Sequence, residues 1–434
     1  MQRLLRRVAV IGGVRIPFCR SNTFYADLSN LDMMTGALNA LVDRYNLKGQ
    51  HIDEVLGGAV VTHSKDWNIA REAVLGTRLA ASTPGITMMQ ACGTSLQGAL
   101  GSAAKIAAGE IDCAIAVGSD TTSDAPIVVS KKLAQRLTQA SLQKSTMDKL
   151  KVFKGFSPAE LVPKPPSVTE PRTGLTMGEH CELMAQVWDI TRAEQDAFAL
   201  ESHRKAAEAY SSGYMDDLVT PFAGVYRDNN IRGDATLEKL GTLKTAFDKT
   251  ERGTLTAANS TPLTDGAAAV LLASEEWAAK RGLPVLAYLT YAQHAANDFV
   301  GGDGLLMAPT IAVSKMLDRA GLKLQDFDLY EIHEAFAAQV LSTLKAWEDP
   351  AYCKERLGKA EPLGSIDRGK LNVRGSSIAF GHPFAATGAR IVANLAKLLS
   401  QQGGRGLISI CTAGGMGVAA IMETMDAAEM HQAA

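Results

Sequence analysis

The chain has 434 residues, 46% of them hydrophobic and 21% charged, with a formal net charge of −2. That length holds two or three ordinary domains or one large duplicated one with an ample core, and near-neutrality argues against a global nucleic-acid role, so any electrostatic site must be a local patch. The cysteines (19, 92, 113, 181, 353 and 411) are scattered, with no CxxC and no His/Cys cluster, which excludes a disulfide framework or a structural zinc site and fits free thiols in a reducing cytoplasm.

Nothing reaches transmembrane length. Residues 1–7 are basic, but the apolar stretch after them is broken by Gly12, Gly13 and Arg15. It reads as a first strand entering a turn, not a signal peptide. The pattern then predicts a helix over 32–47, a strand over 54–61, a helix over 68–79, a short apolar strand over 85–89 and a helix of small residues over 95–108. Cys92 falls at the turn between the last two. Unpaired N–H groups at a helix N-terminus favour a thiolate, which predicts a lowered pKa and a nucleophile at neutral pH. From this stretch alone a buried structural cysteine is the competing reading. A strand over 112–118, with Cys113 in its core, completes an alternation that indicates an α/β sheet.

The character changes after Ser119. Residues 128–156 carry Lys131, Lys132, Arg136, Lys144, Lys149, Lys151 and Lys154 against one acid, Asp148. With Leu133, Leu137, Leu142, Met147 and Leu150 on a loose helical face, this is a basic amphipathic excursion. It suits an anionic ligand, a partner helix or a membrane surface, or is a solvated face. A stiff proline linker follows at 161–166. Thr176-Met177-Gly178-Glu179-His180 leads into a helix, Thr191 with Glu194 predicts a capping box for a helix to Tyr210, and 228–233 is a turn. Roughly 120–250 therefore reads as an inserted helical and loop domain. The sheet resumes with strands over 267–273 and 285–291, a helix over 309–320 and a strand over 328–332. His333 to Ala337 opens a helix, 375–383 is strand-to-turn, and 387–401 is a helix. The last strands are 406–411 and 418–423, with a glycine-rich turn between them. Strand, reactive residue, small-residue helix, strand and glycine recur in that order around Cys92–Gly118 and His382–Gly415, suggesting two similar halves whose strand ends could meet.

These stretches carry a resemblance. Cys92 with its flanks, His333-Glu334-Ala335-Phe336, Gly381-His382-Pro383 and the segment from Cys411 to Gly417 occur in order over nearly the whole chain, and together the sequence resembles the thiolase family. It is most similar to the 3-ketoacyl-CoA thiolases that oxidise fatty acids within trifunctional multienzyme complexes, which carry His in the Glu-Ala-Phe motif and a long segment here at about 344–372. Ala413 departs from the glycine many thiolases have. The resemblance implies two βαβαβαββ halves in a five-layer αβαβα arrangement. The N-terminal half would be 1–124 plus 252–278, the inserted loop domain 125–251, and the C-terminal half 279–434.

It also implies the chemistry. A thioester exchange needs a nucleophile, its base, a second acid/base and donors for two oxyanions. Cys92 would take the acyl group, and His382 would deprotonate it and help bind the thioester oxygen. His333 would orient a water or donate directly at that first oxyanion hole. Cys411 would protonate the departing acetyl-CoA carbanion or deprotonate CoA, and the backbone N–H groups of Cys92 and Ala413 would form the second hole. By motif position Arg232 and Phe247 resemble adenine-side contacts of CoA, Thr261, beside Ser260, the pantetheine contact, and Met177 and Phe336 the acyl-pocket wall. CoA is then a co-substrate, with no permanently bound cofactor and no metal, and Gly12-Gly13 is too poor a pattern for a dinucleotide fingerprint. The implied partners are one further copy of the chain or three, as a homodimer or dimer of dimers, and a hydratase/dehydrogenase subunit. Membrane-surface contact stays open. An acetyl-CoA acetyltransferase, a ketoacyl synthase and a non-catalytic acyl-CoA-binding relative are the alternatives.

Overall fold

Strands buried along nearly their whole length require helices on both faces of their sheet. The computed structural model describes residues 5–433, so residues 1–4 of the basic start lie outside the described residues. The elements of the first stretch are β1 (Val8–Arg15), β2 (Cys19–Arg20), α1 (Asn30–Arg44), β3 (Glu54–Gly58), α2 (Ile69–Leu75), β4 (Gly85–Thr87), α3 (Thr94–Ala108) and β5 (Cys113–Asp120). An insertion follows, with α4 (Lys131–Ser141), α5 (Thr146–Val152), α6 (Met177–Val187), α7 (Arg192–Ser211) and α8 (Leu237–Gly241). Next come β6 (Thr264–Ser274), α9 (Glu275–Lys280), β7 (Ala287–Ala296), α10 (Ala308–Ala320), β8 (Leu329–Ile332), α11 (Ala337–Glu348) and α12 (Pro350–Leu357). The chain closes with α13 (Ser377–Phe380), α14 (Thr387–Gln402), β9 (Arg405–Thr412), β10 (Met416–Glu423) and α15 (Met425–Ala433).

The repeat suspected from the sequence is explicit in the strand order. One half runs β4-β3-β5-β6-β1 and the other β8-β9-β10-β7, joined where Ala9 and Val10 of β1 pair Tyr288 and Ala287 of β7. In the first half β3 is parallel to β4 and β5, while β6 is antiparallel to β5 and β1. In the second, β8 is parallel to β9, β10 is antiparallel to β9 and β7, and Leu371 supplies a parallel bridge on the outer side of β8. Order and sense match position by position.

Alternation along the strands builds the layers. Ala114 and Ala116 of β5 and Ile408 and Ile410 of β9 share a core with Leu96 and Ala99 of α3 and Ile391, Val392 and Leu395 of α14. The intervening Ile115 and Val117 face Leu38 and Leu41 of α1 and Val74 of α2. Leu407, Ala419 and Ile421 face Val313 and Met316 of α10 and Val340 of α11. The two halves of this continuous sheet thus enclose α3 and α14 and are covered outside by α1/α2 and α10/α11, the five-layer arrangement the resemblance implies. No helix among the described residues is long and apolar enough to cross a membrane.

Several local expectations are corrected. Gly12-Gly13 is not a turn: β1 runs through it with a bulge between Val10 and Gly12, because Gly13 lies where a Cβ would strike Ala269 O and Ala393. Residues 375–383 are not a strand. Gly375 (φ 77°) and Gly381 (φ 104°) bend the chain on either side of α13, and Ile378, Ala379 and Phe380 are all buried, so no alternation separates strand from helix there. His333–Phe336 is not helical, Phe336 is extended, and α11 begins at Ala337. The 161–166 segment is more than a linker: Val128 and Lys164 exchange backbone hydrogen bonds (3.0 and 2.7 Å), closing the loop that carries α4 and α5. Arg136 is not a free cation. It donates to Glu160 (2.8 Å) and to the carbonyls of Val152 (2.6 Å), Lys154 (3.2 Å) and Gly155 (3.1 Å), tying that hairpin together.

The middle layer depends on a close helix–helix approach. A Cβ on Gly388 of α14 would lie inside the contact radius of the Leu96 backbone nitrogen of α3. Gly388→Ala is therefore expected to destabilise the protein by about 1–3 kcal/mol through overpacking, measured as a lowered denaturant midpoint. An unchanged midpoint would contradict this packing.

Candidate active site

The strand-to-helix elbow around Cys92 is built by a strained residue. Ala91 has φ 45°, a left-handed conformation that costs a non-glycine residue about 1–3 kcal/mol. Thr94 holds it, its Oγ1 accepting from Gln90 N–H (2.8 Å) and donating to Ala91 O (2.8 Å). Cys92 lies in a one-turn 3-10 segment (Ala91–Gly93) directly before α3 and is 8% exposed. The equivalent point of the other half carries His382, between Gly381 and the turn that starts α14.

The two meet. His382 Nε2 lies 3.1 Å from Cys92 Sγ. Its Nδ1 bonds Thr387 Oγ1 (2.6 Å) and its backbone N–H donates to Thr264 Oγ1 (3.2 Å). Burial pushes the Cys92 thiol above its ordinary range, and hydrogen bonds from the backbone of Ala413 and of Cys92 itself bring it only part of the way back. Burial likewise holds His382 well below the usual imidazole range, with Arg390 adding to the effect. The expected lowered pKa is thus overturned: desolvation outweighs the helix terminus. The resting pair is a thiol donating to a neutral imidazole.

His333 lies beside His382, ring centroids 4.2 Å apart and planes tilted by 49°, and is fully buried. Its Nδ1 bonds Ser377 Oγ (2.8 Å), and its Nε2 has no hydrogen-bond partner among the described residues. The next residue anchors the loop: Glu334 accepts from Ser202 Oγ (2.7 Å), Asn372 Nδ2 (2.7 Å) and Ile378 N–H (3.2 Å). Cys411, on β9 opposite Gly417, is buried, and desolvation with the fields of Cys92 and Cys181 keeps its thiol protonated. Cys92 Sγ and one ring nitrogen each of His333 and His382 lie within 4.8 Å of one another. Such atoms also ligate zinc, but His382 Nε2 is committed here to the thiol.

Ala413 tolerates its side chain because Gly414 (φ 78°) and Gly415 (φ 67°), not Ala413, make the left-handed turn. Met177, Phe247 and Phe336 pack into one apolar cluster with Cys411, Phe247 edge-on to Phe336 at 5.9 Å. Ser260 bridges Phe336, and its hydroxyl has no partner among the described residues. Thr261 donates its N–H and its hydroxyl to Ala335 O, both at 3.1 Å. Phe247 also lines a cavity of about 840 Å³ between α6 and the 247–252 loop. Arg232 does not line it: the residue is half-buried, and its backbone N–H donates to His203 Nδ1 (3.2 Å). Cys92, His333 and His382 thus lie together, Met177, Phe247 and Phe336 share an apolar cluster with Cys411, and Ser260 and Thr261 pair with Phe336 and Ala335, whereas Arg232 lies apart from them.

Sequence reasoning missed Thr387, Ser377, Asn372, Ser202 and Asp120. Asp120 accepts from Val60, Val61 and Ala385 N–H (2.8 Å each for the last two) and so ties β5 to the His382 turn. Apart from Thr387, five residues beyond its partner His382, their partners lie far away in the chain, so no local spacing marks them.

Comparison with known proteins agrees with this geometry. The family model for the thiolase N-terminal domain matches residues 8–276, and that for the thiolase C-terminal domain matches 283–424. The 3-ketoacyl-CoA thiolase of Yersinia pestis (strain Pestoides F) is 43% identical over 424 residues, 96% of this chain and 97% of that protein. Its counterpart in Yersinia pseudotuberculosis serotype O:1b gives the same figures. Among solved structures, Bacillus anthracis acetyl-CoA acetyltransferase superposes with TM-score 0.79 at 30% identity, covering 97% of this chain and 100% of that one. A thiolase of Ascaris suum in complex with coenzyme A gives TM-score 0.78 at 27% identity, covering 96% and 100%.

A thiol held up by burial exposes little thiolate at neutral pH. Alkylation of substrate-free Cys92 by iodoacetamide is expected to keep rising past the ordinary thiol value of 9.0, without levelling near about pH 7. A plateau at neutral pH would reveal a stabilised thiolate.

Proposed function

The chain belongs to the thiolase family, and we propose that it is a 3-ketoacyl-CoA thiolase that cleaves 3-oxoacyl-CoA with CoA into acetyl-CoA and a shortened acyl-CoA. The observation that carries this is the 3.1 Å contact between Cys92 Sγ and His382 Nε2, with Cys411 near enough that a thiolate at Cys92 would hold its thiol protonated.

His382 takes the Cys92 proton as the sulfur attacks the 3-oxo carbon. The N–H groups of Cys92 and Ala413 hold the oxygen that becomes negative. Cleavage of the carbon–carbon bond leaves an acetyl-CoA enolate, its thioester oxygen held by His333 and His382, and Cys411 donates its proton to the carbanion. CoA then returns a proton to Cys411 and attacks acyl-Cys92, and the expelled sulfur recovers its proton from His382. Protons balance over the cycle, and no permanently bound cofactor or metal takes part. Each oxyanion donor is worth about 3 kcal/mol of barrier. Met177 and Phe336 wall the acyl chain, while Ser260 and Thr261 take the pantetheine side of CoA and Phe247 and Arg232 its adenine side. In this reading 1–124 with 252–278 and 279–434 are the catalytic halves, and 125–251 is the CoA-bearing insertion.

The free state of all six cysteines supports a cytoplasmic location. A homo-oligomer is supported by β4, a sheet edge paired among the described residues only with β3, which carries the exposed Ile86 and is followed by the exposed Met89. The α4–α5 hairpin supports a further association. Leu137, Leu142, Met147 and Leu150 are exposed there among Lys131, Lys144, Lys149 and Lys154, a surface suited to an acidic hydratase/dehydrogenase subunit or an anionic membrane.

Thiolysis rates over a series from acetoacetyl-CoA to 3-oxodecanoyl-CoA test the substrate. Turnover on the longer chains is expected, whereas activity on acetoacetyl-CoA alone would make the chain an acetyl-CoA acetyltransferase, and none at all a non-catalytic binder. Cys411→Ala is expected to slow thiolysis by about 10²-fold or more while still allowing some acylation of Cys92, seen by mass spectrometry after incubation with acyl-CoA; no adduct on folded protein would break the division of labour. Charge reversal of Lys131, Lys144, Lys149 and Lys154 is expected to leave thiolysis nearly unchanged and to weaken binding to the partner subunit or to anionic vesicles. A large rise in the KM for CoA would assign the patch to CoA instead.

A further inference from the structure

We propose that Ser377, held by Arg390, fixes His333 in the tautomer that carries its proton on Nε2, making His333 a direct donor to the substrate oxygen and setting it opposite in polarity to His382.

The argument is one of hydrogen-bond direction. Arg390 Nη2 lies 3.0 Å from both Ser376 Oγ and Ser377 Oγ. A guanidinium has donors and no acceptor, so both hydroxyls accept from it. Ser377 has one hydroxyl proton, and its other partner among the described residues is His333 Nδ1 at 2.8 Å. That proton therefore points at Nδ1, which must offer a lone pair. His333 is buried beside another histidine and an arginine and is held well below the usual imidazole range, so its ring is neutral and its single proton falls on Nε2. The alternative, Nδ1–H donating to Ser377, would leave the serine proton with no acceptor in a buried site.

Two further facts fit. Arg390 is 4% exposed, and its Nε and Nη1 have no partner among the described residues. The two serine hydroxyls are what its bonded nitrogen holds. His333 Nε2 is likewise buried and unpartnered, a donor kept vacant. The Cys92 thiol, by contrast, donates to His382 Nε2, so that ring carries its proton on Nδ1 toward Thr387 Oγ1. One imidazole accepts a proton and its neighbour offers one, which prevents the two from exchanging roles. Ser377 and Arg390 are then positioning residues, and this assignment rests on the thiolase reading for its catalytic consequence alone.

Long-range proton–nitrogen correlation spectra of enzyme labelled with ¹⁵N-histidine test it, with His333→Asn identifying the signal. The resting enzyme is expected to show His333 protonated on Nε2. Ser377→Ala is expected to shift or mix that tautomer and to lower kcat by about 10²-fold, the cost of losing one aligned oxyanion donor, with the KM for CoA unchanged. Ser377→Thr is expected to restore both. A wild-type His333 protonated on Nδ1 overturns the proposal, as does Ser377→Ala with wild-type turnover and tautomer. The spectrum decides even where Ser377→Ala fails to fold. A protein inactive on every 3-oxoacyl-CoA would defeat the functional reading and leave the tautomer result standing.

Discussion

The site exists because two helices of the middle layer touch backbone to backbone. Cys92 and His382 are 290 residues apart and belong to different halves, yet each precedes the helix its half sends into that layer. Small residues make the approach: Gly388 lies against Leu96, and Gly118 lies against Ala385 beside the His382 turn. Ser95 adds a polar stitch, accepting from Ala389 N–H (2.8 Å). Larger side chains here would separate α3 from α14, and a hydrogen bond of 3.1 Å has no tolerance for such a shift.

Burial sets the chemistry that follows. The helix N-terminus that should activate Cys92 acts within the first turn and is worth about 0.3–1 kcal/mol at ordinary sites. Removing the sulfur from water works against it and wins, raising the thiol and lowering both imidazoles. With thiols and imidazoles neutral, the reacting atoms themselves carry no charge at rest, which would be costly to bury. Its donors stay oriented for charge that appears only during reaction, the condition under which preorganised dipoles contribute most.

Much of this was legible in the sequence, for reasons that differ by element. The buried strands and the small-residue helices announced an α/β repeat, and the motifs around Cys92, His333, His382 and Cys411 singled out residues that the fold brings close together. Elements around glycine were misread in both directions. Gly12-Gly13 reads as a turn because glycine is permissive, but there it serves a close strand approach. Residues 375–383 read as a strand because every side chain of α13 is buried, which erases periodicity. The residues that orient the histidines, Thr387 and Ser377, were silent, since a hydroxyl's partner is set by the fold. Arg136 looked like one more surface cation and is the brace of its hairpin.

The central claim is that Cys92, paired with His382, carries the acyl group. Its most direct test is peptide mass spectrometry of the enzyme after incubation with 3-oxoacyl-CoA in the absence of free CoA. The account predicts one acyl group per chain, on the peptide containing Cys92, removed when CoA is added. Acylation of Cys411 instead, or turnover with no adduct on Cys92, would contradict it.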